Sequence, residues 1–251
     1  MTKKLILFDI DGTLIVSGGA GARAMTRAFE ETWGLSDALR HVDVAGRTDN
    51  IILEDALRAT GHVAEGESLE RFKRIYCGYL REELLSGHGN GVGAGYINSS
   101  SGNGRPKCVL PGIQSLLEVL SARPDVSLAL LTGNFPESAE IKLRHFDLWR
   151  YFEWGVYGNE ATDRHDLLPI AIQRHVDRGA PPIHPSDVII VGDTPHDISC
   201  AHRGGAKAIA VATGNFTLDA LKDCRPDVLC TDLSDHAPFF TLLDGSRYVR
   251  R

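Results

Sequence analysis

The sequence has no long apolar run. Nothing in it approaches the ~20 consecutive apolar residues of a membrane-spanning helix, so no membrane partner is expected. The opening Met1-Thr2-Lys3-Lys4 leads only into Leu5 to Phe8 before Asp9 breaks the run. A signal peptide wants a longer apolar stretch and a small-residue cleavage site, and the expected location is therefore cytoplasmic. Positive charge is not in excess either: 27 Lys and Arg face 33 Asp and Glu, for a formal net charge of −6. That balance lacks the basic footprint of a nucleic-acid binder. The five cysteines, at positions 77, 108, 200, 224 and 230, are odd in number and form no Cys-x-x-Cys pair. Neither a disulfide framework nor a zinc site is expected from them. The Asn-x-Ser/Thr triplets at Asn98 and Asn215 carry no weight without a secretory signal.

What is present is an ordinary globular composition, 43% hydrophobic and 24% charged, over 251 residues. That length accommodates a core domain with a smaller insert. Short apolar runs closed by Asp, Gly or Thr recur at 4–8, 127–131, 187–191, 206–211 and 227–230, with a weaker one at 154–157. Helical patterns lie between them, at 112–122, 137–146, 167–178 and 197–203. Strands alternating with helices predict α/β architecture: a Rossmann-like parallel sheet covered by helices on both faces. Residues 18–86 read differently, with helical stretches at 20–33, 50–60 and 69–85 and few strand runs. They separate the first two strands by far more chain than a crossover needs. The expected organisation is a core of residues 1–17 and 107–251, with 18–106 as an inserted helical unit. Its segment 86–106, rich in Gly, Ser and Asn, reads as a loop.

The chemistry gathers at three strand ends. The first strand runs into Asp9-Ile10-Asp11-Gly12-Thr13. Alternation along a strand would point the two acids apart, but a turn at Gly12 lets both face one pocket. Two acids beside a buried strand call for a compensating cation, and Mg²⁺ suits oxygen ligands. Leu131-Thr132-Gly133-Asn134 ends a second strand with a hydroxyl and free backbone N–H groups, a seat for phosphate. Val191-Gly192-Asp193-Thr194-Pro195-His196-Asp197 ends a third, with Asp193 placed to ligate the same cation and Asp197 near it. A lone Asp-x-Asp is often a solvated turn. Repetition at three strand ends of one sheet gives the pattern its weight, because open α/β sheets bind ligands at that edge.

These segments resemble the motifs of the haloacid dehalogenase superfamily of phosphohydrolases, matching over about 3–16 and 107–240, with the helical insert in the position of that family's C1 cap. The resemblance implies that Asp9 is the nucleophile of an aspartyl-phosphate intermediate and Asp11 the general acid/base. It implies Mg²⁺ held by Asp9, the Asp11 backbone carbonyl and Asp193. It places Thr132, with the neighbouring Gly133 and Asn134, on the phosphoryl group. The family's third motif usually supplies a Lys, and no Lys lies between Lys142 and Lys207. Arg164, just before a helix, is the expected replacement, since Arg keeps the charge and adds bidentate contact. In the insert, Gly46-Arg47-Thr48-Asp49 resembles a stretch of phosphoglycolate-phosphatase-like members. Arg47 and Thr48 are candidates to meet the leaving group, a carboxylate or hydroxyl; the simpler reading is that Thr48 or Asp49 N-caps the following helix. The expectation is an Mg²⁺-dependent phosphatase acting on a small phosphorylated metabolite, phosphoglycolate-like, as a monomer or homodimer. A β-phosphoglucomutase-type phosphomutase and a catalytically silent binding protein are the alternatives.

Overall fold

The structure, a computed structural model, describes residues 3–44, 46–58, 60–86 and 106–245. Six strands form one parallel sheet: β1 (Lys4–Phe8), β4 (Val126–Leu131), β5 (Gly155–Val156), β6 (Val188–Gly192), β7 (Lys207–Val211) and β8 (Val228–Cys230). Their order is β5-β4-β1-β6-β7-β8, with every pairing parallel. Alternation along β1 feeds two cores. Ile6 and Phe8 pack with α4 (Ile113–Ser121), α5 (Pro136–His145) and α9 (Ala237–Asp244). Leu5 and Leu7 face α6 (Leu167–Asp177), α7 (Pro195–Arg203) and α8 (Leu218–Asp223). Burial on both faces explains why these strands read as unbroken apolar runs.

The strand order explains why the three motifs meet. β1 lies between β4 and β6, so the connections leaving it wind to opposite sides. A crevice opens at such a switch point, above the carboxyl ends of the central strands. Asp9, Thr132 and Asp193 all follow those ends.

Between β1 and β4 the chain makes a small antiparallel ribbon, β2 (Ile15–Ser17) with β3 (Lys107–Val109). Sequence reading missed both strands. Each is three residues long, too short for alternation to show, and the partners are about ninety positions apart in the chain. The ribbon carries the chain out to α1 (Ala20–Trp33), α2 (Asp49–Arg58) and α3 (Gly66–Leu85), and back. These helices share an apolar cluster of their own, centred on Phe29, Leu53, Phe72 and Leu80, which Phe135 of the core joins. The Gly/Ser-rich loop expected at 86–106 lies outside the described residues except at its two ends.

Candidate active site

Gly12, at φ +82°, makes the turn that the acid pair requires. A side chain there would be strained, and its Cβ would come within 2.5 Å of the Asp193 carboxylate. Asp9 is buried, with 5% of its surface exposed, and Arg164 Nη2 stands 3.4 Å from its Oδ1. Burial raises the Asp9 carboxyl to about 6; Arg164 opposes the rise, while Asp197 and Asp11 add to it. Asp193, also buried, accepts from Thr13 Oγ1 at 3.2 Å, and burial with Asp9 and Asp197 nearby holds it well above the usual carboxylate range.

Asp9, Asp193 and Asp197 can each present an oxygen within 4.8 Å of the others. Three buried acids with one cation among them carry a surplus of negative charge that suits a hard divalent ion. The three are not equal donors. Asp197 Oδ1 accepts from Arg164, and its Oδ2 accepts from Thr194 N at 3.1 Å and Thr194 Oγ1 at 2.7 Å, inside the capping box that starts α7. Its oxygens are taken, so Asp197 anchors Arg164, and Asp9 and Asp193 keep capacity for a metal. For Asp11 the expected ligand was the backbone carbonyl, and its carboxylate lies outside this group, 40% exposed and facing other partners.

Arg164 sits where the missing lysine was sought. Burial works against its charge, but Asp197 and Asp9 more than restore it. Its Nη1 donates to Gly46 O at 3.3 Å, and its Nε has no hydrogen-bond partner among the described residues. Arg164 also lines the cavity.

Lys142 went unassigned in the sequence. On α5 it falls in the buried stripe Ser138, Ala139, Lys142, Leu143. That spacing was the available signal, since a Lys in the inward stripe of a helix needs a partner. Lys142 Nζ donates to Asp11 Oδ2 and to Asn134 Oδ1, both at 2.5 Å. Asn134 Nδ2 in turn donates to Asp11 Oδ2 at 3.0 Å and to Thr132 Oγ1 at 2.8 Å. Burial penalises the Lys142 charge, and Asp11 and Asp49 outweigh that and raise it. Asp9 and Asp11 thus stand two residues apart in opposite surroundings, one beside Arg164 and the acids, the other held by Lys142 and Asn134.

The helical insert meets this loop through Asp49. Its backbone N–H donates to Gly133 O at 2.7 Å, and its carboxylate accepts from Phe135 N at 2.9 Å and Ser138 Oγ at 3.2 Å. Phe135 itself supplies no side-chain cap to α5, so Asp49 caps that helix from outside. Contact is close enough that a Cβ on Gly133 would lie 2.5 Å from Arg47 O. Thr48 is fully buried, and its Oγ1 accepts from Ile51 N at 3.3 Å, which gives it the capping role and no surface on the cavity. Arg47 does line the cavity, but its Nη2 is paired with Asp55 Oδ2 at 2.5 Å and its Nη1 with Asp43 O at 3.2 Å. The cavity, about 260 Å³, also touches Asp9, Asp11, Asn134, Lys142, Arg164 and Asp193.

Comparisons with known proteins agree with this geometry. The family model described as haloacid dehalogenase-like hydrolase matches residues 3–205. The chain is 26% identical over 237 residues to "Probable phosphatase IndB" of Dickeya dadantii, covering 93% of this chain and 91% of that one. It is 24% identical over 248 residues to a phosphoglycolate phosphatase of Pasteurella multocida, covering 96% and 98%. A crystal structure of a predicted phosphoglycolate phosphatase from Haemophilus somnus superposes with a TM-score of 0.65 at 20% identity, covering 96% and 99%. No helix among the described residues is long and apolar enough to cross a membrane. With motifs, fold and family model in agreement, the chain belongs to the haloacid dehalogenase-like hydrolases.

Proposed function

We propose that the protein hydrolyses a small phosphomonoester through an aspartyl-phosphate on Asp9, with Mg²⁺ held by Asp9, Asp193 and the Asp11 carbonyl. The observation that carries this reading is the divergent pair: a buried Asp9 beside Arg164 and Asp193, and an Asp11 tied to Lys142 and Asn134. Two carboxylates in unlike surroundings at one cavity can take separate roles. Bound Mg²⁺ would neutralise charge on the transferring oxygens.

In the first step an Asp9 oxygen attacks phosphorus, forming the new P–O bond while the ester P–O bond breaks. Asp11 gives its proton to the departing oxygen. In the second step Asp11 takes a proton from water, which attacks phosphorus and frees Asp9 and inorganic phosphate. Arg164 draws the phosphoryl group toward Asp9 and lowers the repulsion between two anions. Gly133 and Asn134, which line the cavity, complete the phosphate seat, with Thr132 buried behind them and accepting from Asn134 Nδ2. The helices α1, α2 and α3 serve as a cap that excludes water, docked through Asp49. Hydrolysis of an aryl phosphate that requires Mg²⁺ and stops in excess chelator tests the reading; turnover that persists in chelator contradicts it.

Lys142→Met is expected to lower kcat about a hundredfold with little change in KM, because Asp11 loses the tether that aims it. Steady-state kinetics would show this, and a kcat within twofold of wild type would remove Lys142 from the account. Metal binding should also depend on pH. The Asp9 carboxyl is raised to about 6 in the metal-free protein, so below that pH a proton occupies the site and must leave before the ion binds. With Asp193 raised as well, the apparent Mg²⁺ affinity is expected to fall as pH drops through about 6, by roughly tenfold per unit or more. Titration calorimetry between pH 5 and 8 measures this, and a flat profile would speak against Asp9 as a ligand.

A further inference from the structure

Resting on the phosphatase reading, we propose that the site prefers phosphomonoesters of an uncharged alcohol with an apolar carbon body. That body would lie against Met25, Leu39, Val44, Ile52 and Phe216. These five apolar side chains line the same cavity as the catalytic groups. Four come from the helical insert and Phe216 from the loop after β7. Val44 is 42% exposed and apolar, which leaves carbon surface open on the cavity lining. An apolar wall with few polar groups selects a ligand by what it keeps from water.

Charge on the same wall argues against a second anionic group. The ionisable lining residues are Asp9, Asp11, Asp49 and Asp193 on one side and Arg47, Lys142 and Arg164 on the other. A divalent cation and a phosphate dianion together add no net charge to that set. Each of the cations is already engaged: Arg47 with Asp55, Lys142 with Asp11, and Arg164 with Asp9 and Asp197. A carboxylate on the leaving side, as in 2-phosphoglycolate, would have to compete with Asp55, Asp11, Asp9 or Asp197 for a cation already paired. A polyhydroxy leaving group would set its hydroxyls against carbon, where unmade hydrogen bonds cost affinity. The uncharged polar lining residues are Ser17, Tyr76, Asn134, Thr194 and Asn215; of these, Ser17 and Asn134 already pair with Asp11, and Thr194 with Asp197.

The test uses two phosphonates that cannot be hydrolysed, hexylphosphonate and 3-phosphonopropionate. Their binding to the Mg²⁺-loaded protein is measured by calorimetry, with inorganic phosphate as the reference. Hexylphosphonate is expected to bind at least roughly tenfold more tightly than the carboxylated analogue. Val44→Asp, at an exposed position that leaves the fold intact, is expected to weaken hexylphosphonate about fivefold or more and to leave inorganic phosphate unchanged. The proposal is overturned if 3-phosphonopropionate binds as tightly as hexylphosphonate. It is also overturned if Val44→Asp weakens phosphate and hexylphosphonate alike. The expected ranking in a protein that hydrolyses no phosphomonoester would remove the phosphatase reading and leave the pocket's preference standing.

Discussion

Asp9→Asn is expected to lower kcat on an aryl phosphate by at least roughly 10⁴-fold, because an amide is no nucleophile and the covalent route closes. The substitution keeps shape and volume. It should not destabilise the metal-free protein, and the sign follows from the Asp9 carboxyl. In the folded state it titrates at about 6, raised chiefly by burial, so at neutral pH the fold bears a charge that it disfavours. A neutral Asn removes that burden. Thermal unfolding without metal should therefore occur at or above the wild-type temperature, and the added stability that Mg²⁺ gives wild type should shrink. A variant that unfolds early and is inactive for that reason would not support the assignment. An inactive variant with unchanged or raised stability would.

The second large effect is expected at Arg164→Ala. Nη2 of this side chain serves both Asp9 and Asp197 from a buried position. Its removal strips the phosphoryl group of a fixed positive partner, and kcat should fall by about 10²–10³-fold. It also leaves Asp9 and Asp197 buried without their cation, a change that costs about 3–5 kcal/mol when one member of a buried pair is deleted. Arg164→Lys should recover part of the stability and less of the rate, since a single ammonium cannot match the planar fork. Millimolar guanidinium should partly restore turnover in the Ala variant and not in wild type. Urea unfolding and kinetics with and without guanidinium check both parts. A near-normal rate in the Ala variant would mean that another group meets the phosphate.

The core was legible in the sequence because burial on both sheet faces writes itself as short apolar runs. Leu5 to Phe8, Ala129 to Leu131 and Val188 to Val191 each lie almost wholly inside. The acids at the strand ends were legible for a related reason, since a charged residue closing an apolar run stands out. Arg164 could be picked because its position before α6 left few rivals. Lys142 could not be assigned by scanning for a third-motif cation, because it reaches Asp11 from α5, across a fold that brings together positions 131 apart in the chain. The docking of Asp49 on Phe135 and Ser138 is of the same kind: a polar side chain in one unit completes a helix start in another. Arg47 shows the reverse. Its motif context pointed to the leaving group, but Asp55, eight residues on and nearly two turns along α2, takes its guanidinium. Local pairs of this sort compete with ligands and leave no mark in a motif.

The central claim is that the phosphoryl group passes through Asp9. The most direct measurement mixes enzyme, Mg²⁺ and a rapidly hydrolysed aryl phosphate, quenches in acid within milliseconds, and reduces any acyl phosphate with borohydride before peptide mass spectrometry. The account predicts reduction of Asp9 to homoserine, in wild type and not in Asp9→Asn, with more of it trapped in Lys142→Met if the second step slows. Reduction at another carboxylate, or none at all under conditions where turnover is fast, would contradict it.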